Sequence, residues 1–143
     1  MGNKVSIKKM NFEDIQEIIS KKYDCLLINT LPIYNQECLI SNSLRADLEE
    51  SIINTLLYKN KKKKIIIYGK NCNDLTVYEK YQQLNDLGFQ NIYIYPGGLF
   101  EWCLLQDIYG TEMFMTTSKI NDILKFKPPS LINKNVNNYI LTK

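Results

Sequence analysis

Four cysteines supply the thiol chemistry open to this chain: Cys25, Cys38, Cys72 and Cys103. No two of them stand at Cys-x-x-Cys spacing, and there is no histidine. The lack of imidazole excludes a Ser-His-Asp or Cys-His arrangement and any His-ligated zinc site built within this chain. Cys25 lies in an apolar run and Cys103 in an apolar helical stretch, where a free cysteine behaves as a small hydrophobe. Cys72 stands apart, in the polar loop Lys70-Asn71-Cys72-Asn73-Asp74. A second chemical signal opens the sequence. Met1-Gly2-Asn3-Lys4-Val5-Ser6 matches M-G-x-x-x-[ST], which makes Gly2 the expected acceptor of an N-myristoyl group. One myristoyl chain holds a membrane only weakly, so a second attraction is needed. Lys4, Lys8 and Lys9 can provide it against anionic lipids, at about 1 kcal/mol each near the surface.

The elements that must position Cys72 can be read from pattern. Ile65-Ile66-Ile67-Tyr68 is strongly β-prone and is ended by Gly69, so the loop leaves the end of a strand. Asp74 is placed to cap the helix that follows, with Val77, Tyr81 and Leu84 as its inner face. Gly88 fits the C′ position that ends that helix. Asn91-Ile92-Tyr93-Ile94-Tyr95 predicts a further strand. Pro96-Gly97-Gly98 then turns the chain into a helix from about Leu99 to Tyr109, closed by Gly110. Upstream, Asn11 caps a short amphipathic helix with Phe12, Ile15, Ile18 and Ile19 on one side. Cys25-Leu26-Leu27-Ile28 predicts a buried strand. Ser43 is the expected cap of another helix, with Leu44, Leu48, Ile52 and Leu56 at one per turn. Strands alternating with helices predict an α/β domain with a mostly parallel central sheet flanked by helices. Ligands of such sheets sit outside the carboxyl ends of the strands, which is where residues 69–74 fall.

Composition narrows the class. A chain of 143 residues with 45% hydrophobic and 23% charged residues suits one globular domain. No apolar run approaches the ~20 residues of a membrane span, and no secretory signal is recognisable. The cysteines are therefore expected to be reduced, in a protein made and kept inside the cell. Net charge is +3 with a single arginine, Arg45, so nucleic acid is not an expected partner. The run Lys61 to Lys64 reads as a solvated lead-in to the following strand.

The segment Gly88-Phe89-Gln90-Asn91-Ile92-Tyr93-Ile94-Tyr95-Pro96-Gly97-Gly98-Leu99-Phe100-Glu101-Trp102 resembles the rhodanese family. In that family a helix ends in Gly-aromatic, and a strand, a Gly-Gly turn and a Trp follow. Leu26-Leu27-Ile28-Asn29 resembles its first core strand, which usually ends in Asp. Cys38-Leu39-Ile40 lies where the family often has His-Ile, and Ile65 to Gly69 resembles the strand that delivers its active-site loop. The resemblance covers roughly residues 12 to 110 and implies a rhodanese-like three-layer domain. Trp102 is expected in the core.

The resemblance also implies sulfurtransferase chemistry. A loop cysteine carries sulfane sulfur as a persulfide, held by loop N–H groups and a helix N-terminus, with no resident cofactor or metal. Partners would be a small sulfur donor and a thiol acceptor. The family's cysteine directly follows the strand, and here Gly69 stands in that place. Counted back from Gly88, the loop is about two residues longer than usual, and Cys72 falls near the nucleophile position but not on it. Asp74, two residues on, opposes a thiolate and competes for the same N–H groups. Phosphatases of the same fold need an arginine six residues after the cysteine, where this chain has Tyr78. Two expectations result. One is a sulfurtransferase using Cys72, within an active-site loop of Gly69, Lys70, Asn71, Asn73 and Asp74. The other is a catalytically silent rhodanese-like binding or scaffold module, tethered to a cytoplasmic membrane face through Gly2 and open to a protein partner. The expected organisation is a basic arm over residues 1–10, the domain over 11–117, and an extension over 118–143 that holds a short helix near Ile120 to Phe126 or is partly disordered.

Overall fold

A computed structural model describes residues 6–134 of the chain. The expectations for Gly2, for Lys4 and for residues 135–143 lie outside the described residues. Five parallel strands form one sheet in the order β1-β5-β4-β2-β3. They are β1 (Lys8–Lys9), β2 (Cys25–Asn29), β3 (Ser43–Leu44), β4 (Lys64–Tyr68) and β5 (Asn91–Tyr95). Three helices connect strands, α1 (Phe12–Lys21), α2 (Ala46–Lys59) and α3 (Thr76–Asp86), β2 and β3 are joined by a loop, and α4 (Gly98–Tyr109) follows β5.

Alternation along the strands divides the core between two faces. Ile66 and Tyr68 of β4 join Leu27, Tyr95, Ile15 and Ile18 of α1, and Leu99, Trp102 and Cys103 of α4. Ile65 and Ile67 face the other way, with Ile28, Ile92 and Ile94, against Ile53 of α2 and Val77 and Leu84 of α3. The result is the three-layer α/β architecture that the strand-helix alternation predicts. Buried on both faces, the central strands read as continuous apolar runs rather than alternating ones. Trp102 is fully buried, its ring edge-on to Tyr95 and Phe114, and its Nε1–H donates to the Met115 carbonyl at 3.0 Å.

Several local expectations hold. Asn11 caps α1 in a capping box with Asp14. Gly88, at φ +99°, ends α3, with the Phe89 N–H returning to the Leu84 carbonyl. Others are corrected. Ser43 does not cap a helix. It pairs with Leu27 in β3, and its hydroxyl lies 2.6 Å from the Tyr68 hydroxyl. The first N–H of α2, at Ala46, is taken instead by the Gln36 side chain at 3.0 Å. With Leu44 in a strand, the helix turns a different stripe inward. Ile53 is buried with Leu56 and Leu57 packed beside it, while Leu48 and Ile52 are exposed. Residues 8 and 9, expected in a basic arm, form the edge strand β1 against Tyr93 and Ile94. The short helix near residue 120 is a 3-10 turn over Ile123–Phe126, followed by a helical turn at Leu131–Lys134.

Candidate functional site

The chain leaves β4 at Tyr68 and crosses the carboxyl edge of the sheet as residues 69–75. Its position is fixed from below by α4. The Leu99 and Phe100 N–H groups donate to the carbonyls of Gly69 and Lys70, both at 2.9 Å. Two N–H groups of that helix N-terminus are thereby committed to the loop backbone. The close approach also explains Gly98. Its φ is +68°, and a Cβ there would stand 2.7 Å from the Gly69 oxygen.

Asn71 fixes the loop on its other side. Its side chain is buried, Nδ2 donates to the Phe126 carbonyl at 2.9 Å, and Oδ1 accepts from the Asn73 N–H at 2.9 Å. Asp74 turns back into the loop. Its Oδ2 accepts from the Lys70 N–H at 3.0 Å, and its Oδ1 accepts from the Thr76 N–H at 3.1 Å. The Thr76 hydroxyl also donates to Oδ1 and sits 2.9 Å from Thr30 Oγ1. α3 begins at Thr76, so Asp74 serves the helix start from two residues ahead of it rather than one.

The carboxylate fills the space over Gly69. A Cβ at that position would lie 2.6 Å from Asp74 Oδ2, 2.6 Å from Val77 Cγ2 and 2.9 Å from Thr30 Oγ1. Cys72 is exposed on the outside of the loop, with its Sγ 3.9 Å from Asn73 Oδ1. The structure thus folds the Lys70 and Thr76 N–H groups onto the Asp74 carboxylate over Gly69, ties Asn71 to Phe126 and Asn73, and leaves Cys72 on the surface.

Residues 20–105, more than half of the chain, match the profile described as Rhodanese-like domain. The chain belongs to the rhodanese-like domain family. Solved structures agree in fold. A rhodanese-like domain from Anabaena sp. is 15% identical, aligned over 87% of each chain, with a TM-score of 0.57. A single-domain sulfurtransferase from Saccharomyces cerevisiae is 13% identical, aligned over 76% of this chain and 98% of its own, with a TM-score of 0.53. Thiosulfate sulfurtransferase from Pseudomonas aeruginosa is 13% identical over 68% of this chain, with a TM-score of 0.56, and this rhodanese-like chain spans only 19% of it. No curated protein matches the sequence.

The remaining cysteines of this rhodanese-like domain lie off the loop. Cys25 is half-buried in β2, and burial pushes its thiol pKa up. Cys38 and Cys103 are buried, and the Cys38 thiol donates to the Ser118 carbonyl at 3.3 Å. The neighbouring Cys38 and burial push the Cys103 thiol pKa up. Nothing in the sequence signals that the two thiols are neighbours, because one lies in a loop and the other in α4. Asn71 was legible only as a loop residue, since its partner Phe126 comes 55 residues later.

Proposed function

We propose that this chain is a catalytically silent rhodanese-like binding module that attaches to a cytoplasmic membrane face through a myristoyl group on Gly2. The observation that carries the silent reading is the Asp74 carboxylate over Gly69. In a persulfide-carrying loop the N–H donors face an anionic sulfur. In this loop the Lys70 N–H faces Asp74, α4 gives two N–H groups to loop carbonyls, and no thiol stands at the strand end. Among the described residues the Cys72 thiol, three residues farther on, has only Asn73 Oδ1 as a hydrogen-bond partner, at 3.9 Å. The Asp74 carboxylate takes the Lys70 and Thr76 N–H groups, so a side-chain anion of the chain itself stands where these donors would meet a sulfur anion. Among the described residues no helix is long and apolar enough to cross a membrane, and the tether reading rests on the Gly2 motif.

Intact-protein mass after incubation with thiosulfate or a small persulfide donor tests the first part. The expected result is no added sulfur. One added sulfur, lost in Cys72→Ser, would reinstate the sulfurtransferase reading with Cys72 as acceptor. Metabolic labelling with a myristate analogue tests the second, the expected result being a label that disappears in Gly2→Ala.

A further inference from the structure

In an all-parallel sheet with helical crossovers, every helix points its C-terminus at the edge where the strands begin. Cations are favoured there by the helix dipole. α1 and α2 follow that rule and exceed it, whereas the last turns of α3 and α4 hold no cation. Lys21 ends α1 with Lys22 as its cap, Lys59 ends α2, and the run Lys61 to Lys64 leads directly into β4. Two helix dipoles do not account for the whole run. Lys63 pairs with Asp24, and Lys21 pairs with Glu17 at 2.5 Å. Among the described residues no carboxylate pairs with Lys22, Lys59, Lys61, Lys62 or Lys64. All five of those lysines are exposed. The other acids on this side include Asp86, which accepts from Gln82 at 2.8 Å, Asp107 in the last turn of α4, and Glu112, which lines the same hollow as Lys22. The acidic first turns of α1, α2, α3 and α4 lie at the opposite edge, so the lysine excess of the strand-start edge is concentrated around α1, α2 and the lead into β4.

The N-terminal segment enters the fold at this same basic edge. Lys8 is in register with Tyr93, and Tyr93 with Ile66, and β1 runs parallel to its neighbours, so the chain reaches Lys8 from the side on which Asn91 and Lys64 start their strands. β1 and β4 are separated only by β5, a lateral distance of about 10 Å. The lysine run sits against that strand start. The Gln90 N–H donates to the Lys61 carbonyl at 3.1 Å, and Asn91 Nδ2 donates to the Lys62 carbonyl at 2.7 Å. Gly2 is four residues before Ser6 and so reaches at most about 14 Å from it.

We propose that the strand-start edge of the sheet, with Lys22, Lys59, Lys61, Lys62 and Lys64 exposed on it, is a docking face for an anionic lipid bilayer. This rests on the acyl tether proposed above and deepens it, because it adds to Lys4, Lys8 and Lys9 a folded surface and fixes an orientation. The strand-start edge meets the headgroups, and the loop edge around Asn71 and Asp74 faces away from the bilayer toward partners.

The test compares vesicle co-sedimentation of the full chain on phosphatidylcholine alone and on phosphatidylcholine with phosphatidylserine. The chain is used acylated by co-expression with an N-myristoyltransferase, and also unacylated at low ionic strength. Lys61→Glu/Lys62→Glu is expected to weaken binding to the anionic vesicles by about thirty-fold or more, from the usual contribution of two surface lysines. Lys61→Arg/Lys62→Arg is expected to restore it. Lys119→Glu/Lys127→Glu, with the same change in net charge in the segment that packs near the loop edge, is expected to lose far less. Equal losses from the two glutamate pairs, or binding indifferent to phosphatidylserine, would overturn the proposal. A chain that shows no myristoyl mass increment sinks the tether alone, because the unacylated comparison of the lysine pairs still decides the docking face.

Discussion

Replacing Gly69 by alanine probes directly whether the Asp74 carboxylate fills the loop. The backbone at Gly69 is not among the positive-φ positions, so the substitution acts through crowding and not through backbone strain. The new methyl group would stand 2.6 Å from Asp74 Oδ2, 2.6 Å from Val77 Cγ2 and 2.9 Å from Thr30 Oγ1. Overpacking of this kind costs about 1–3 kcal/mol, a fall in Tm of about 3–10 °C for a chain of this size. Asp74→Ala removes the acceptor of the Lys70 N–H, the Thr76 N–H and the Thr76 hydroxyl. In a half-exposed position that loss is worth about 1–3 kcal/mol. In the double variant the methyl group no longer meets the carboxylate, although Val77 remains in its way. The double-mutant cycle should therefore close with a coupling of about 1 kcal/mol, the pair being less destabilised than the sum of the singles. Urea unfolding of the four proteins measures it. Additivity within about 0.3 kcal/mol, or a Gly69→Ala protein as stable as its parent, would refute the filled-loop account.

Three further outcomes are expected. Trp102→Ala should lower stability by about 3–5 kcal/mol in thermal or urea unfolding, since the ring is fully buried between Tyr95 and Phe114. Asn71→Ala should cost about 1–3 kcal/mol by leaving the Phe126 carbonyl and the Asn73 N–H without their partner, and amide exchange around residues 123–126 should quicken. Burial raises the phenol pKa of Tyr68. Burial, together with the hydrogen bond to the Glu101 carboxylate, raises that of Tyr95. Both contribute stability that is complete below the unfolded value of 10.0 and is lost as pH rises beyond it toward the folded values, so unfolding free energy should fall above pH 10. Absorbance titration should show two of the ten tyrosines ionising only as the protein unfolds.

The strands β2, β4 and β5 were legible because each is a short apolar run bounded by turn residues, and both faces of the sheet need apolar side chains. The helix α1 was legible because Asn11 and Asp14 close its start locally. Where the partner lies far along the chain, the pattern failed. α2 is started by Gln36, whose amide is itself held in a reciprocal pair with Asn29 at 3.0 and 2.8 Å, so the local Ser43 cap was a false signal. β1 and β3 have two residues each, too few for any alternation to show, and exist only because β5 and β2 offer open edges. At the site, the lack of a cysteine at Gly69 was visible. That Asp74 occupies the same space was not, because the distance from its carboxylate to residue 69 depends on how the loop closes over α4.

The pairing of β1 with β5 has a consequence in time. Residues 8 and 9 have no sheet partner until residues 93 and 94 exist. At ordinary synthesis rates of about 5–20 residues per second, that is an interval of about 4–17 s. Throughout it Lys8 and Lys9 are held by no strand, while the helices and strands between are already being made. The edge pair of β1 with β5 is thus the last part of the sheet to close, after the crossovers through α1, α2 and α3 have been synthesised.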